Sequence, residues 1–77
     1  MKLTYYTDGG CEPNPGNGTW AFVCCEPYFE MTGFEENTTN NRMEILGVLK
    51  AAEHAIEIGG VEIKIFSHYG QIKTIDA

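Results

Sequence analysis

Seventy-seven residues form at most one domain, and a chain of this length buries only about 60% of its unfolded surface, so its stability depends on a small core. The 43% hydrophobic and 12% aromatic content is typical of a globular domain and excludes a disordered tail. Eleven acidic and five basic residues leave a net charge of -6, which disfavours the basic surface of a non-specific nucleic-acid binder.

The chain carries no signal for secretion or membrane insertion. The N-terminal residues lack a long apolar run, and no segment approaches the roughly 18 apolar residues that a membrane-spanning helix needs. Cys11, Cys24 and Cys25 fit neither a disulfide framework nor a zinc-ligand spacing, which predicts reduced thiols. We therefore expect a cytoplasmic protein that consists of one domain, residues 1–77, and has no membrane partner.

The first half of the chain predicts three antiparallel strands. Residues 3–7 are rich in β-formers and end at Asp8, which places a carboxylate at the end of the first strand. Residues 9–18 are dense in Pro, Gly and Asn and predict a loop. Residues 19–25 and 28–34 regain strand character and, with a short turn between them, predict a hairpin.

The second half predicts a helix followed by a strand. Asn41 and Glu44 are spaced like a capping box, and Gly59 with Gly60 supplies a stop. The helical spacing of the apolar residues predicts one buried face, made of Ile45, Val48, Leu49, Ala52, Ala55 and Ile56. Residues 61–66 alternate as a strand does, and the helical connection predicts that this strand lies parallel to an earlier one. Residues 69–77 are interpreted as the start of a second helix.

Two acidic residues are candidates for chemistry, and each has a purely structural alternative. Asp8 precedes Gly9 and Gly10, where flexible backbone would let a metal and a phosphate approach, but it would also suit a turn. Glu44 could point at the strand ends, or it could serve only as the capping-box glutamate.

Polar and aromatic residues around these two positions leave similar alternatives. The loop containing Asn14, and the later Asn40 and Asn41, offer amide groups that could contact sugar or phosphate, although a connecting loop would have the same composition. Trp20 could stack on a base, but an aromatic residue in a strand is more often part of the core.

Four blocks of the chain, in this order, resemble type I ribonuclease H. They are YTDGGC at 6–11, NPG at 14–16, GTWA at 18–21 and TTNNRMEI at 38–45. The last block is nearly identical to the family signature at the start of its first helix. The resemblance implies an α/β ribonuclease H-like fold whose mixed sheet combines a three-strand antiparallel meander, a crossover helix and a parallel fourth strand.

The resemblance also implies a function and a set of site residues. The family hydrolyses the RNA strand of RNA/DNA hybrids with two Mg²⁺ ions, for which Mn²⁺ can substitute. Asp8 and Glu44 match the first two metal-binding carboxylates. The substrate-binding positions, expected along the RNA strand and its minor groove, are Gly9, Gly10, Cys11, Asn14, Asn40 and Asn41.

The chain departs from the family pattern in two places. His68 stands where the family has its third catalytic aspartate, and a neutral imidazole suits softer ions better than Mg²⁺. The later strand, helices and fourth carboxylate have no counterpart, which predicts that the fourth strand exposes an unpaired edge and that the chain forms a homodimer there.

Three hypotheses follow for the chain. The first is an incomplete or inactive form of a metal-dependent hybrid endonuclease, with Asp8, Glu44 and His68 at the catalytic positions. The second is a non-catalytic module that keeps the nucleic-acid-binding surface. The third is a structural module that self-associates. Metal binding distinguishes the first hypothesis from the other two.

Overall fold

The computed structural model describes residues 1–67 and the backbone of a last strand at residues 72–76. One helix and five strands make up this part of the chain. In chain order they are β1 Lys2–Cys11, β2 Gly16–Cys24, β3 Phe29–Thr38, α1 Asn40–Glu57, β4 Glu62–Phe66 and β5 Ile72–Asp76. Within these described residues no helix is both long and apolar enough to cross a membrane.

The strands form one mixed sheet in the order β3-β2-β1-β4-β5. β1, β2 and β3 are an antiparallel meander, in which Asp8 lies opposite Ala21. β4 runs parallel to β1, with Leu3 beside Ile63 and Tyr5 beside Ile65, because α1 carries the chain back across the sheet. The predicted α/β architecture is confirmed.

The prediction for the C-terminal residues is wrong. Instead of a second helix over 69–77, the chain forms β5, which pairs antiparallel with β4 from Phe66–Ile72 to Glu62–Asp76. Backbone N–H and C=O groups on a strand edge need partners, and β5 supplies them to β4. The predicted unpaired β4 edge is therefore absent from the described structure, and with it the basis for dimerisation at that edge.

The predicted buried face of α1 is also wrong in part. The buried residues are one turn apart and mostly small: Met43, Gly47, Ala51 and Ala55. Ile45, Leu49 and Ile56, predicted to be buried, are 66%, 48% and 67% exposed. At Gly47 the helix lies close to the sheet: a Cβ there would lie 3.3 Å from the Asp8 carbonyl oxygen.

Aromatic rings fill the interface between α1 and the sheet at the end away from Asp8, where the last turns of α1 cover the start of β1. Tyr5 and Phe22 are 0% and 1% exposed. The Tyr5 hydroxyl lies 2.6 Å from Nδ1 of His54, and the His54 ring stacks on Phe29 with 4.4 Å between centroids. We call Tyr5, Phe22, Phe29 and His54 the aromatic end of the molecule.

Candidate active site

Asp8 lies on β1, near the end of the strand that the first turn of α1 covers. Its Oδ1 accepts a hydrogen bond of 2.9 Å from the backbone N–H of Gly9. The side chain is exposed to solvent. A carboxylate that is oriented by its own strand and remains accessible is suited to bind a cation.

Glu44 lies on α1, one turn after the helix begins, and is not a capping residue. The N-cap is Thr39, whose Oγ1 accepts a 3.2 Å hydrogen bond from the backbone N–H of Arg42. The predicted capping box of Asn41 and Glu44 is therefore wrong, since Arg42 occupies the third helical position. The structural alternative for Glu44 is removed, and its half-buried carboxylate faces the end of β1.

Gly9 brings these two elements into direct backbone contact. A Cβ on Gly9 would overlap the carbonyl group of Met43 and lie 2.7 Å from the backbone nitrogen of Glu44. Only a residue without a side chain allows this approach. The glycine after Asp8 thus lets the start of α1 lie directly against β1, and Glu44 and Asp8 line the same cavity.

Both carboxylates line one cavity of about 360 Å³ at this end of the sheet. The residues that line it are Asp8, Gly9, Gly10, Thr19, Trp20, Ala21, Asn40 and Glu44. The structure therefore brings together five of the predicted site residues. Thr19 and Ala21 were not predicted; the pairing of β2 with β1 places them there, opposite Gly10 and Asp8.

Trp20 belongs both to the core and to the wall of this cavity. It is only 9% exposed, and its ring lies across Gly33 on the neighbouring strand. The interpretation of Trp20 as a core residue is therefore confirmed, although its edge borders the candidate site.

The remaining predicted site residues surround the cavity without lining it. The backbone N–H of Cys11 donates to Asn40 Oδ1 at 2.6 Å, and Asn14 Oδ1 accepts from the backbone N–H of Asn40 at 3.2 Å. Asn41 is exposed in the first turn of α1. His68 lies outside the described residues, so its place relative to Asp8 stays a prediction.

An ion pair lies beside the helix start. The Arg42 guanidinium donates to both carboxylate oxygens of Glu35 on β3, the second at 3.1 Å from Nη2. This hydrogen bonding lowers the pKa of the Glu35 carboxyl below its ordinary value. The Arg42 side chain thus joins β3 to α1 next to the site.

Asp8 and Glu44 are a donor set that fits a hard divalent cation. Mg²⁺ is commonly held by one or two protein carboxylates, with water and substrate phosphate completing its octahedron. Within residues 1–67 no group of three or more His, Cys, Asp or Glu side chains converges on one point. The described residues therefore suit one weakly held ion, and a second ion would need further ligands.

Comparison with known proteins identifies the family. The sequence model of the RNase H family matches residues 1–75, almost the whole chain. The chain belongs to the ribonuclease H family. The first strand, the glycines after Asp8 and the helix start that carries Glu44 all lie within this match.

Individual relatives agree with this assignment. The ribonuclease H of Methylorubrum extorquens is 45% identical over 71 residues, which cover 90% of this chain and 31% of the relative. That of Syntrophomonas wolfei is 43% identical over 68 residues, covering 86% of this chain and 46% of the relative. That of Acetivibrio thermocellus is 39% identical, covering 88% and 48%. The chain thus spans 31% to 48% of the length of these relatives.

Proposed function

We propose that this chain supplies two metal-binding carboxylates, Asp8 and Glu44, to an endonuclease that hydrolyses the RNA strand of RNA/DNA hybrids. The observation that supports the proposal is their convergence on one cavity, from the end of β1 and the start of α1, in a ribonuclease H family chain. A carboxylate pair in an open cavity is suited to bind a metal that itself contacts a phosphate.

The metal of this proposal is Mg²⁺, with Mn²⁺ as an alternative. Bound there, the ion supplies Lewis-acid polarisation of the scissile phosphate and lowers the pKa of a bound water. The chain's own contribution is orientation: the Gly9 N–H holds one oxygen of Asp8, and the helix backbone against Gly9 holds Glu44. Two-metal catalysis requires ligands beyond these two residues.

Position 68 is the proposed place of a third ligand, and there the chain has histidine. An imidazole contributes no negative charge and binds Mn²⁺ better than Mg²⁺. We expect His68→Asp to raise the affinity for Mg²⁺, measured by isothermal titration calorimetry. An unchanged affinity would mean that position 68 is not a ligand.

The proposed substrate is a hybrid duplex bound through neutral groups. Gly9, Gly10 and Asn40 line the cavity, and Cys11, Asn14 and Asn41 lie next to it, so backbone atoms there and the Nδ2 groups of the asparagines can contact the 2'-hydroxyls that distinguish RNA from DNA. The net charge of -6 opposes binding of a polyanion. We therefore expect weak binding that depends on the divalent ion.

The experiment is cleavage of an end-labelled RNA/DNA hybrid, with Mg²⁺ and separately with Mn²⁺. It uses the chain alone and the chain joined to the part of the Syntrophomonas wolfei relative that it does not span. Asp8→Asn and Glu44→Gln should each abolish cleavage and keep the circular dichroism spectrum, whereas the exposed Glu57→Gln serves as the matched control. Cleavage retained by both site variants would refute the assignment.

Absence of cleavage with either form would instead favour a non-catalytic module. Fluorescence anisotropy with a labelled hybrid then tests whether the nucleic-acid-binding surface alone is kept. Duplex DNA of the same sequence is the control, since only the hybrid carries 2'-hydroxyls.

Self-association is a second candidate function, and one observation favours it. Ile45, Leu49 and Ile56 form an exposed apolar stripe on α1, away from the sheet. Sedimentation velocity over a range of concentrations tests this candidate. A monomer at every concentration would exclude it, and a dimer that Leu49→Gln dissociates would support it.

A further inference from the structure

Two asparagine side chains join the end of β1, the following loop and the start of α1. The backbone N–H of Cys11, the last residue of β1, donates to Asn40 Oδ1 at 2.6 Å. The backbone N–H of Asn40, the first residue of α1, donates to Asn14 Oδ1 at 3.2 Å. We call these two hydrogen bonds the asparagine bracket.

The bracket satisfies backbone donors that secondary structure leaves without partners. The first N–H groups of a helix have no carbonyl within the helix to bond, and Asn40 carries the first of them. Cys11 lies where β1 ends and the chain turns away into the loop. A side-chain amide oxygen at each place replaces the missing carbonyl, so removal of either oxygen leaves an unsatisfied donor.

The asparagine bracket lies close in sequence to both carboxylates. Asp8 precedes Cys11 by three residues along β1, and Glu44 follows Asn40 by one helical turn. A rigid strand and a rigid helix transmit any shift of the Cys11–Asn40 bond to the distance between Asp8 and Glu44. On the other side, backbone contact at Gly9 prevents the two elements from moving closer.

We infer that Asn40 and Asn14 are positioning residues, which set the spacing of Asp8 and Glu44 through the asparagine bracket. This inference rests on the proposed function, because it assigns the bracket to the metal-binding pair. Both Oδ1 atoms are engaged within the protein, so each asparagine can offer the substrate its Nδ2 group.

The test compares Asn40→Ala, which loses the acceptor, with Asn40→Asp, which keeps an oxygen in the same place. Asn17 is exposed in the same segment, so Asn17→Ala and Asn17→Asp control for the loss of an amide and for the added charge. Two quantities are measured: Mn²⁺ affinity, from paramagnetic broadening of amide resonances, and hydrogen exchange of the Cys11 amide.

We expect Asn40→Ala to accelerate Cys11 exchange and to weaken Mn²⁺ binding about tenfold, the usual effect of losing a group that orients a ligand. Asn40→Asp should restore both quantities, and the Asn17 variants should change neither. Asn14→Ala should weaken Mn²⁺ binding less. Its effect should not multiply with that of Asn40→Ala, since both act through one bracket.

The outcomes separate the two proposals. If the wild-type chain does not bind Mn²⁺, the metal site and the bracket's part in it are both refuted. If the wild-type chain binds Mn²⁺ and Asn40→Ala binds it equally well, only the inference about the bracket is refuted. If Asn40→Ala does not fold, Asn14→Ala decides, and unchanged Mn²⁺ affinity in that variant refutes the inference.

Discussion

The two ends of the interface between α1 and the sheet are held together by different means. At the site end, backbone lies against backbone: Gly9 touches the start of α1, and the asparagine bracket ties α1 to β1. At the aromatic end, Tyr5 and Phe22 fill the space between the layers, and His54 stacks on Phe29. One end uses small residues and polar contacts, and the other uses buried apolar surface.

The two ends therefore have different roles: the aromatic end stabilises the fold, and the site end positions the proposed metal ligands. Burial of large aromatic rings removes much apolar surface from water and stabilises a chain of this size. Close backbone contact buries little surface but defines distance, which is what a pair of metal ligands requires. Substitutions at the aromatic end should therefore change the free energy of unfolding, and those at the site end should change metal affinity.

The largest expected effect on stability is that of Phe22→Ala. Phe22 is 1% exposed and contacts the rings of Tyr5, Trp20, Phe29 and His54. Its loss should lower the free energy of unfolding by about 3–5 kcal/mol, enough to unfold much of a small domain. Urea denaturation followed by circular dichroism measures this change. Phe34→Ala, at a residue 61% exposed, is the control, and equal losses in both variants would contradict the prediction.

Gly9→Ala should have a smaller effect on stability but a large effect on the site. The added methyl group overlaps the backbone of Met43 and Glu44, so α1 must move away from Asp8. We expect a loss of about 1–3 kcal/mol together with loss of Mn²⁺ binding. Gly10→Ala is the matched control for stability, since the nearest contact of its methyl group would be Asn40 Oδ1 at 3.9 Å. Normal Mn²⁺ binding by Gly9→Ala would show that the close approach is not needed.

Alkaline pH should lower the free energy of unfolding through ionisation of Tyr5 at the aromatic end. Burial of the phenol, and after it the neighbouring Cys24 thiol, raises the pKa of Tyr5 above its ordinary value of about 10. Above pH 10 the folded chain keeps the Tyr5 proton, which the unfolded chain releases. The contribution of Tyr5 to the free energy of unfolding is therefore intact below pH 10 and falls above it, by about 1.4 kcal/mol per pH unit. Urea denaturation at several pH values should show a shallower fall in Tyr5→Phe than in the exposed control Tyr6→Phe. Equal slopes would exclude Tyr5 as the source.

The smallest expected effect concerns the ion pair between Glu35 and Arg42. Because Arg42 lowers the pKa of the Glu35 carboxyl, the pair stabilises the fold above the ordinary carboxyl pKa of about 4.3, and this contribution is lost as pH falls through the folded-state value. Arg42→Gln should raise the titration midpoint of Glu35, measured by carbon-detected NMR. Added salt should reduce the difference, since the pair is exposed. The same midpoint in both proteins would contradict the prediction.

Local sequence was sufficient to locate the candidate site but not its construction. Asp8, the glycines after it and Glu44 near a helix start were predicted to form the site, and the structure places them around one cavity. The predicted strand end at Asp8 and the loop over 9–18 are wrong, because β1 continues to Cys11 and β2 begins at Gly16. The N-cap was wrong by two residues, since Thr39 and Asn41 are both good capping residues. The choice between them depends on where β3 ends, which is set by its pairing with β2.

The helix shows most clearly where the sequence was misleading. Its large apolar residues predicted a buried stripe, but the sheet lies against the face that carries Gly47, Ala51 and Ala55. Apolar periodicity identifies a helix by its spacing and does not reveal how near the opposite layer will come. Here the sheet lies against the face of α1 that carries Met43, Gly47, Ala51 and Ala55, so Ile45, Leu49 and Ile56 lie on another face and remain exposed.

The meander, the crossover helix and the parallel β4 could be read from the sequence, because these depend on local propensity and spacing, and the resemblance to the family proposed Asp8 and Glu44 as the carboxylates. Only the tertiary structure decided which face of α1 is buried, that residues 72–76 pair with β4, and that Asn14 and Asn40 turn their amide oxygens to the backbone. Each of these depends on contacts between residues distant in the chain, whose geometry exists only once the layers have packed.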